Sequence, residues 1–132
     1  MHKSKETWLD MGCKDYISRL APQVKTDIIL YKNEERLETA ISLDKRPILL
    51  DPEGEEMDSV HFAAFLEKEI EKRGSTLFFA IGGPVGFTPT QKRGRTLIRL
   101  SLMTFTHQLV RLILLEQVYR AFEIMRCSPY HK

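Results

Sequence analysis

Apolar positions along the chain switch between a period near 3.6 and short unbroken runs, the patterns of amphipathic helices and buried strands. Trp8, Gly12, Tyr16 and Leu20 recur at helical spacing, Leu9, Cys13 and Ile17 widen the stripe, and Pro22 stops this first helix. Residues 25–31 (KTDIILY) predict a short strand, and Asn33 an N-cap for a helix burying Leu37, Ala40 and Ile41. Residues 47–51 (PILLD) predict a buried strand ending in the turn Pro52-Glu53-Gly54. Asp58 or Ser59 caps the next helix, which has Phe62, Phe65, Leu66 and Ile70 on one face, EKEIEKR on the other, and Gly74 as its stop. Residues 76–81 (TLFFAI) predict a central strand terminated by Gly82-Gly83-Pro84. Thr88-Pro89 has the form of a cap followed by proline at the first helical position, so a short basic helix begins there. Residues 97–102 predict another strand, and His107–Met125 a helix apolar around most of its circumference.

Alternating strands and helices, with strands apolar on both sides, predict one α/β domain over residues 1–132 built on a mainly parallel sheet. Ligands in such folds lie beyond the carboxyl ends of the strands. That nominates three loops: Leu50-Asp51 and its turn, Gly82 to Gly86, and Ser101 to Thr106. The last helix is interrupted by Arg111, Glu116 and Arg120, so it is not a membrane span. An all-round apolar helix in a 132-residue chain needs cover, and a homodimer is the economical way to supply it.

Composition agrees with a folded domain: 42% hydrophobic and 29% charged, without repeats or low-complexity stretches. Charge sharpens the picture. From Phe87 onward eight Lys/Arg face two acids, a net of +6, while the preceding residues carry −4. Such asymmetry reads either as a polyanion-binding face or as a basic surface paired with acidic neighbours. Cys13 and Cys127 form no metal or redox motif and read as reduced thiols of a cytoplasmic protein. The four histidines show no ligand spacing, so no metal is expected, and His61 reads as a surface helix residue. GGPVG has neither dinucleotide-fingerprint nor P-loop spacing; by itself it is either a backbone open to a ligand or a tight turn. Arg111, Glu116 and Arg120 must be paired, within the chain, across a dimer, or with a substrate.

Taken together, FFAIGGPVGF, LSLMTFTHQLVRLILLEQVYRAFEI and the terminal SPYHK closely resemble the SPOUT-class ribosomal RNA large-subunit methyltransferase H family. The agreement is dense from Thr76 to Lys132 and looser through Leu49 to Asp51 and back to the Lys3–Trp8 region. The resemblance implies a deep trefoil knot in the carboxyl-terminal part, one of the exceptions to unknotted folding. It implies S-adenosylmethionine as cofactor, held by Leu50, Asp51, Gly82, Gly83, Ser101, Leu102, Met103, Thr104, Phe105 and Thr106. It implies methylation of N3 of a pseudouridine in a 23S rRNA stem-loop on assembled ribosomes, by a homodimer without metal or membrane. Tyr130, His131 and Arg111 are the expected catalytic group, with His131 as candidate base, and Lys92, Arg93, Arg95 and Arg126 the expected phosphate contacts. Members of the family resembled begin with an interior strand M-K-I-x-I-x-x-V-G-K, whereas this sequence opens Met1-His2-Lys3-Ser4-Lys5, so either the true start lies upstream or the sheet has lost that strand and contracted to four. A knotted dimer that binds cofactor or RNA without catalysis is the rival expectation.

Overall fold

The computed structural model describes residues 7–44, 46–73, 76–83 and 85–131. Its elements are α1 (Thr7–Leu20), α2 (Glu34–Leu43), β1 (Ile48–Glu56), α3 (Ser59–Arg73), β2 (Phe79–Ile81), α4 (Pro89–Lys92), β3 (Thr96–Arg99) and α5 (His107–Met125). The strands form one parallel sheet in the order β2-β1-β3. Ile48 pairs with Phe79 and Thr96, and Leu50 with Ile81 and Ile98, so all three strands point the same way with their first residues level.

The core follows from β1. Ile48 and Leu49 are fully buried and point to opposite faces. Ile48 packs with Ile98 and with Phe62, Leu66 and Leu114 of α3 and α5. Leu49 packs with Ala80, Phe87 and with Leu37 and Ile41 of α2. A strand covered on both sides has no reason to alternate, which is why the run Ile48-Leu49-Leu50 is continuously apolar. Outside this three-layer sandwich α1 lies on α5, joined through Cys13, Leu20 and Leu115.

The caps lie where the sequence puts them. The Asn33 side chain accepts the Arg36 N–H at 2.9 Å. Asp58 accepts the His61 N–H at 2.8 Å, and Thr88 with Gln91 closes a capping box around Pro89. His61 is exposed. Element lengths differ more. Strand 76–81 contracts to Phe79–Ile81 and strand 97–102 to Thr96–Arg99. β1 runs on to Glu56, because Leu50 and Glu55 both pair with Ile98 and the turn Pro52-Glu53-Gly54 is a bulge within the strand.

Residues 25–31 form no strand. The edge of β2 that would pair with them stands across an apolar groove of about 780 Å³ lined by Ile28, Leu30, Phe79, Ile81, Arg111 and Leu115, and Ile29 is 65% exposed. Trp8 belongs to the apolar stripe of α1 by spacing yet is exposed; Leu9 and Cys13 turn inward instead, and Gly12 lies against Leu112. Gly74, Pro84, Lys132 and the opening residues 1–6, which also entered the sequence reading, lie outside the described residues.

Gly54 is where the bulge crosses β3. A Cβ there would stand 2.4 Å from the Ile98 carbonyl carbon and 2.6 Å from its Cα and N, all backbone atoms. Gly54→Ala is therefore expected to cost at least about 2 kcal/mol, because β1 and β3 must separate to admit the methyl. Urea unfolding measures it, and an unchanged midpoint would contradict the close crossing.

Candidate functional site

Parallel pairing brings the bulge of β1 and the loops that follow β2 and β3 to one edge of the sheet. After Leu50 comes Asp51, 5% exposed, whose Oδ1 accepts the Glu53 N–H at 2.8 Å. After Ile81 come half-buried Gly82 and Gly83, and the Gly86 N–H closes a turn onto the Gly83 carbonyl at 2.9 Å. Gly86 has φ 76°, a left-handed conformation that glycine adopts without steric cost. Beyond β3, Ser101 Oγ accepts the Met103 N–H at 3.0 Å, and Thr106 caps α5 by accepting the Leu109 N–H. Val85, Leu102 and Met103 hold their apolar side chains in solvent at 86%, 72% and 75% exposure, while Thr104 is exposed and Phe105 half-buried. The edge thus combines glycine backbone, uncovered apolar side chains and one buried carboxylate, the ingredients of a small-molecule site.

The basic residues differ in how much they are engaged. Lys92 pairs with Glu53 and lies 3.5 Å from Asp51, and the hydrogen bond to Glu53, aided by both carboxylate charges, pushes its pKa up. It ties α4 to the bulge of β1. Arg95 donates to the Gln91 carbonyl at 2.9 Å, Arg126 pairs with Glu123 at 3.0 Å, and Arg93 is exposed at the end of α4.

At its far end α5 stops in a motif that turns the tail back. Cys127 has φ 58°, its N–H donates to the Ile124 carbonyl, and the Ser128 N–H donates to that of Glu123, the paired bonds of a Schellman cap. Glu123 is buried at 5% exposure and accepts from Ser128 Oγ and Arg126 at 3.1 Å each. Burial works to raise its pKa, but the hydrogen bonds from Ser128 and Arg126 outweigh it and hold the carboxyl below its ordinary value. Tyr130 then donates to Glu116 at 2.9 Å, and His131 Nδ1 lies 3.0 Å from Arg120 Nη1. Burial pushes the Tyr130 phenol up, and hydrogen bonds with Tyr16 and Glu116 add to it.

The expected catalytic trio is only partly assembled within one chain. Tyr130 and His131 are together, whereas Arg111 sits in the first turns of α5, 3.6 Å from Asp10 of α1; burial pushes the Cys13 thiol pKa up, and Arg111 works against that rise. Arg111 also lines the apolar groove. Nine residues separate Arg111 from Arg120, a rise of about 14 Å along the helix. Arg111, Glu116 and Arg120 thus all find partners inside the chain. The tail-anchoring roles of Glu123 and Tyr16 are not visible in the sequence, which places Tyr16 only in the apolar stripe of α1 and offers for Glu123 just its i, i+3 spacing from Arg126.

The family model described as "Predicted SPOUT methyltransferase" matches residues 1–131. The chain belongs to the SPOUT methyltransferase family. It is 42% identical to ribosomal RNA large subunit methyltransferase H of Protochlamydia amoebophila, 40% to that of Citrifermentans bemidjiense and 37% to that of Pelobacter propionicus. Each match covers 98% of this chain and 93% of the relative.

In this SPOUT methyltransferase the buried Glu123 network makes tail anchoring sensitive to acid. A depressed carboxyl contributes stability that is fully present above its unfolded value, about 4.3, and is lost as pH falls through the folded value. Stability measured by urea unfolding is therefore expected to drop below about pH 4. Glu123→Gln should flatten that drop, and a variant with the same acid slope as the parent would exclude Glu123 as a contributor.

Proposed function

We propose that this SPOUT methyltransferase transfers a methyl group from S-adenosylmethionine to ribosomal RNA, at N3 of a pseudouridine in a 23S rRNA stem-loop on assembled ribosomes in the cytoplasm. The observation that carries the reading is the gathering of the β1 bulge at Asp51 with the loops that follow β2 and β3, in a chain matched by the family over residues 1–131. The names of the relatives supply the ribosomal RNA substrate.

The residues present suit the cofactor. Gly82 and Gly83 let a ligand approach main-chain N–H and C=O groups, and the exposed Leu102 and Met103 offer apolar cover for a purine or a thioether chain. Leu50, Asp51, Ser101, Thr104, Phe105 and Thr106 complete the cradle, with Asp51 held in place by Lys92. When bound, the cofactor supplies a sulfonium methyl that is already electrophilic. What is left to the protein is orientation and exclusion of water: the imide nitrogen must stand in line, with polar groups over its charge. Tyr130, His131 and Arg111 fill that second role. Arg93, Arg95 and Arg126 contact phosphates and make binding weaken with salt, while Lys92 is committed to the bulge of β1.

The loops and the tail stand apart in one chain. α5 begins directly after the loop that ends at Thr106, and the tail docks at Glu116 and Arg120, about 14 to 20 Å down the helix. That separation supports a homodimer in which one protomer's tail completes its partner's site, and the exposed Trp8 and Met11 on neighbouring α1 supply apolar surface for it. The carboxyl-terminal part takes the trefoil knot of the family. Among the described residues no further strand pairs with the edge of β2 beside the groove.

Mass spectrometry of 23S rRNA from ribosomes incubated with the protein and S-adenosylmethionine tests the reading. One added methyl on a pseudouridine-containing fragment is expected, with slower modification of the naked stem-loop. Cofactor binding without methyl transfer would replace this reading with that of a binding module.

A further inference from the structure

The contact between Arg120 Nη1 and His131 Nδ1, 3.0 Å long, has a fixed direction. A guanidinium has donors and no acceptor, so Nδ1 accepts and the neutral imidazole carries its proton on Nε2. Arg120 is itself held. Its Nε and Nη2 donate to the two oxygens of Glu116 at 3.3 and 3.0 Å, and the hydrogen bond with Glu116 pushes the guanidinium pKa up. Glu116 is in turn filled by Gln117 at 2.9 Å and by the Tyr130 hydroxyl at 2.9 Å, and Gln117 is anchored by Ser59 of α3 at 2.7 Å. Arg120 also lies 5.0 Å from the Tyr130 ring centre. From α1 the facing groups are Tyr16, bonded to Tyr130, and Arg19, which stands over the rings of Tyr16 and Tyr119.

We infer that Glu116 and Arg120 are positioning residues that lock His131 in its Nε2–H tautomer, so that the tail offers the substrate a hydrogen-bond donor and not a base. The consequence for catalysis rests on the methyltransferase reading; the tautomer does not. A basic Nε2 would require a proton on Nδ1, where it would meet the Arg120 N–H head-on. An imide anion shares its charge between nitrogen and the two flanking carbonyl oxygens, and an N–H aimed at one of those oxygens stabilises it. The imide proton then leaves to solvent water before the substrate docks and water is excluded, and the imidazole is unchanged through the reaction.

Long-range proton–nitrogen spectra of the full-length protein labelled with ¹⁵N-histidine read the tautomer directly, with the His131 signals identified by their loss in His131→Gln. A pyridine-like Nδ1 and a pyrrole-like Nε2 are expected in the wild type, and a mixture of tautomers in Arg120→Met. A proton on Nδ1 in the wild type, a measurement that needs no variant to fold, overturns the inference, as does an unchanged tautomer in Arg120→Met. In the ribosome assay His131→Gln, whose amide places an N–H near the Nε2 position, is expected to keep turnover within about tenfold of wild type. His131→Ala is expected to lose about a hundredfold. Equal loss in both variants, together with disappearance of a limb of the pH–rate profile, means that His131 is a base and the inference is wrong. A wild type with the Nε2–H tautomer but no methyl transfer leaves the lock standing and removes the methyltransferase reading instead.

Discussion

Because β1 pairs in parallel with a strand on each of its edges, every connection between strands must return across a face of the sheet, and every loop that follows a strand leaves at the same edge. That single constraint accounts for the helices on both faces, for the unbroken apolar run Ile48-Leu49-Leu50, and for the gathering of Asp51, Gly82-Gly83 and Ser101 to Thr106. The bulge in β1 refines it. By letting Leu50 and Glu55 share Ile98, it pulls Asp51 inward, where Lys92 of α4 can reach it, while Gly54 crosses the backbone of β3. Pairing and site geometry are therefore two aspects of one arrangement.

α5 has to serve as core and as scaffold, and its polar residues divide those tasks. Leu114, Leu115 and Ala121 are buried against the rest of the fold. Glu116, Arg120 and Glu123 are spaced so that the returning tail meets them in turn. The left-handed Cys127 costs about 1 kcal/mol relative to glycine, and the two bonds of the Schellman cap together with the Ser128–Glu123 contact offset it. Charges on an apolar helix are expensive unless satisfied, and here they are satisfied by the very residues whose placement they determine.

Much of this was legible beforehand because it rests on local rules. The caps at Asn33 and Thr88, the extent of α5 and the loops after β2 and β3 follow from spacing and from residues that act on their immediate neighbours, whereas the turn after Asp51 lies as a bulge inside β1 and does not end it. Strand extents were not legible, since residues 25–31 have the composition of a strand but need a neighbouring edge to become one, and that edge lies across the groove. Trp8 was misread because helical spacing defines a stripe without saying which margin of it meets the core. Of the site, residue types pointed to the tail, but the partners Tyr16 and Glu123 depend on how α1 and the cap fold back. The free basic face suggested by the +6 charge is also reduced, since Lys92 and Arg126 are ion-paired, a distinction that charge counting cannot make.

The geometry of α5 bears most directly on how so small a chain could assemble a complete site. Its amino end adjoins the loops at the sheet edge, while Tyr130 and His131 are docked more than two turns further along, on residues that hold them tightly. Unfastening the tail to reach the loops of its own chain would take the Tyr130 hydroxyl from Glu116 and the His131 ring from Arg120, a costly loss of hydrogen bonds that leaves their mutual ion pair in place. A second protomer laid antiparallel against α5 would bring its own tail to those loops with every hydrogen bond intact. On the proposed reading, in which a partner's tail completes the site, the same hydrogen bonds that hold the tail rigid on α5 also keep it from the loops of its own chain.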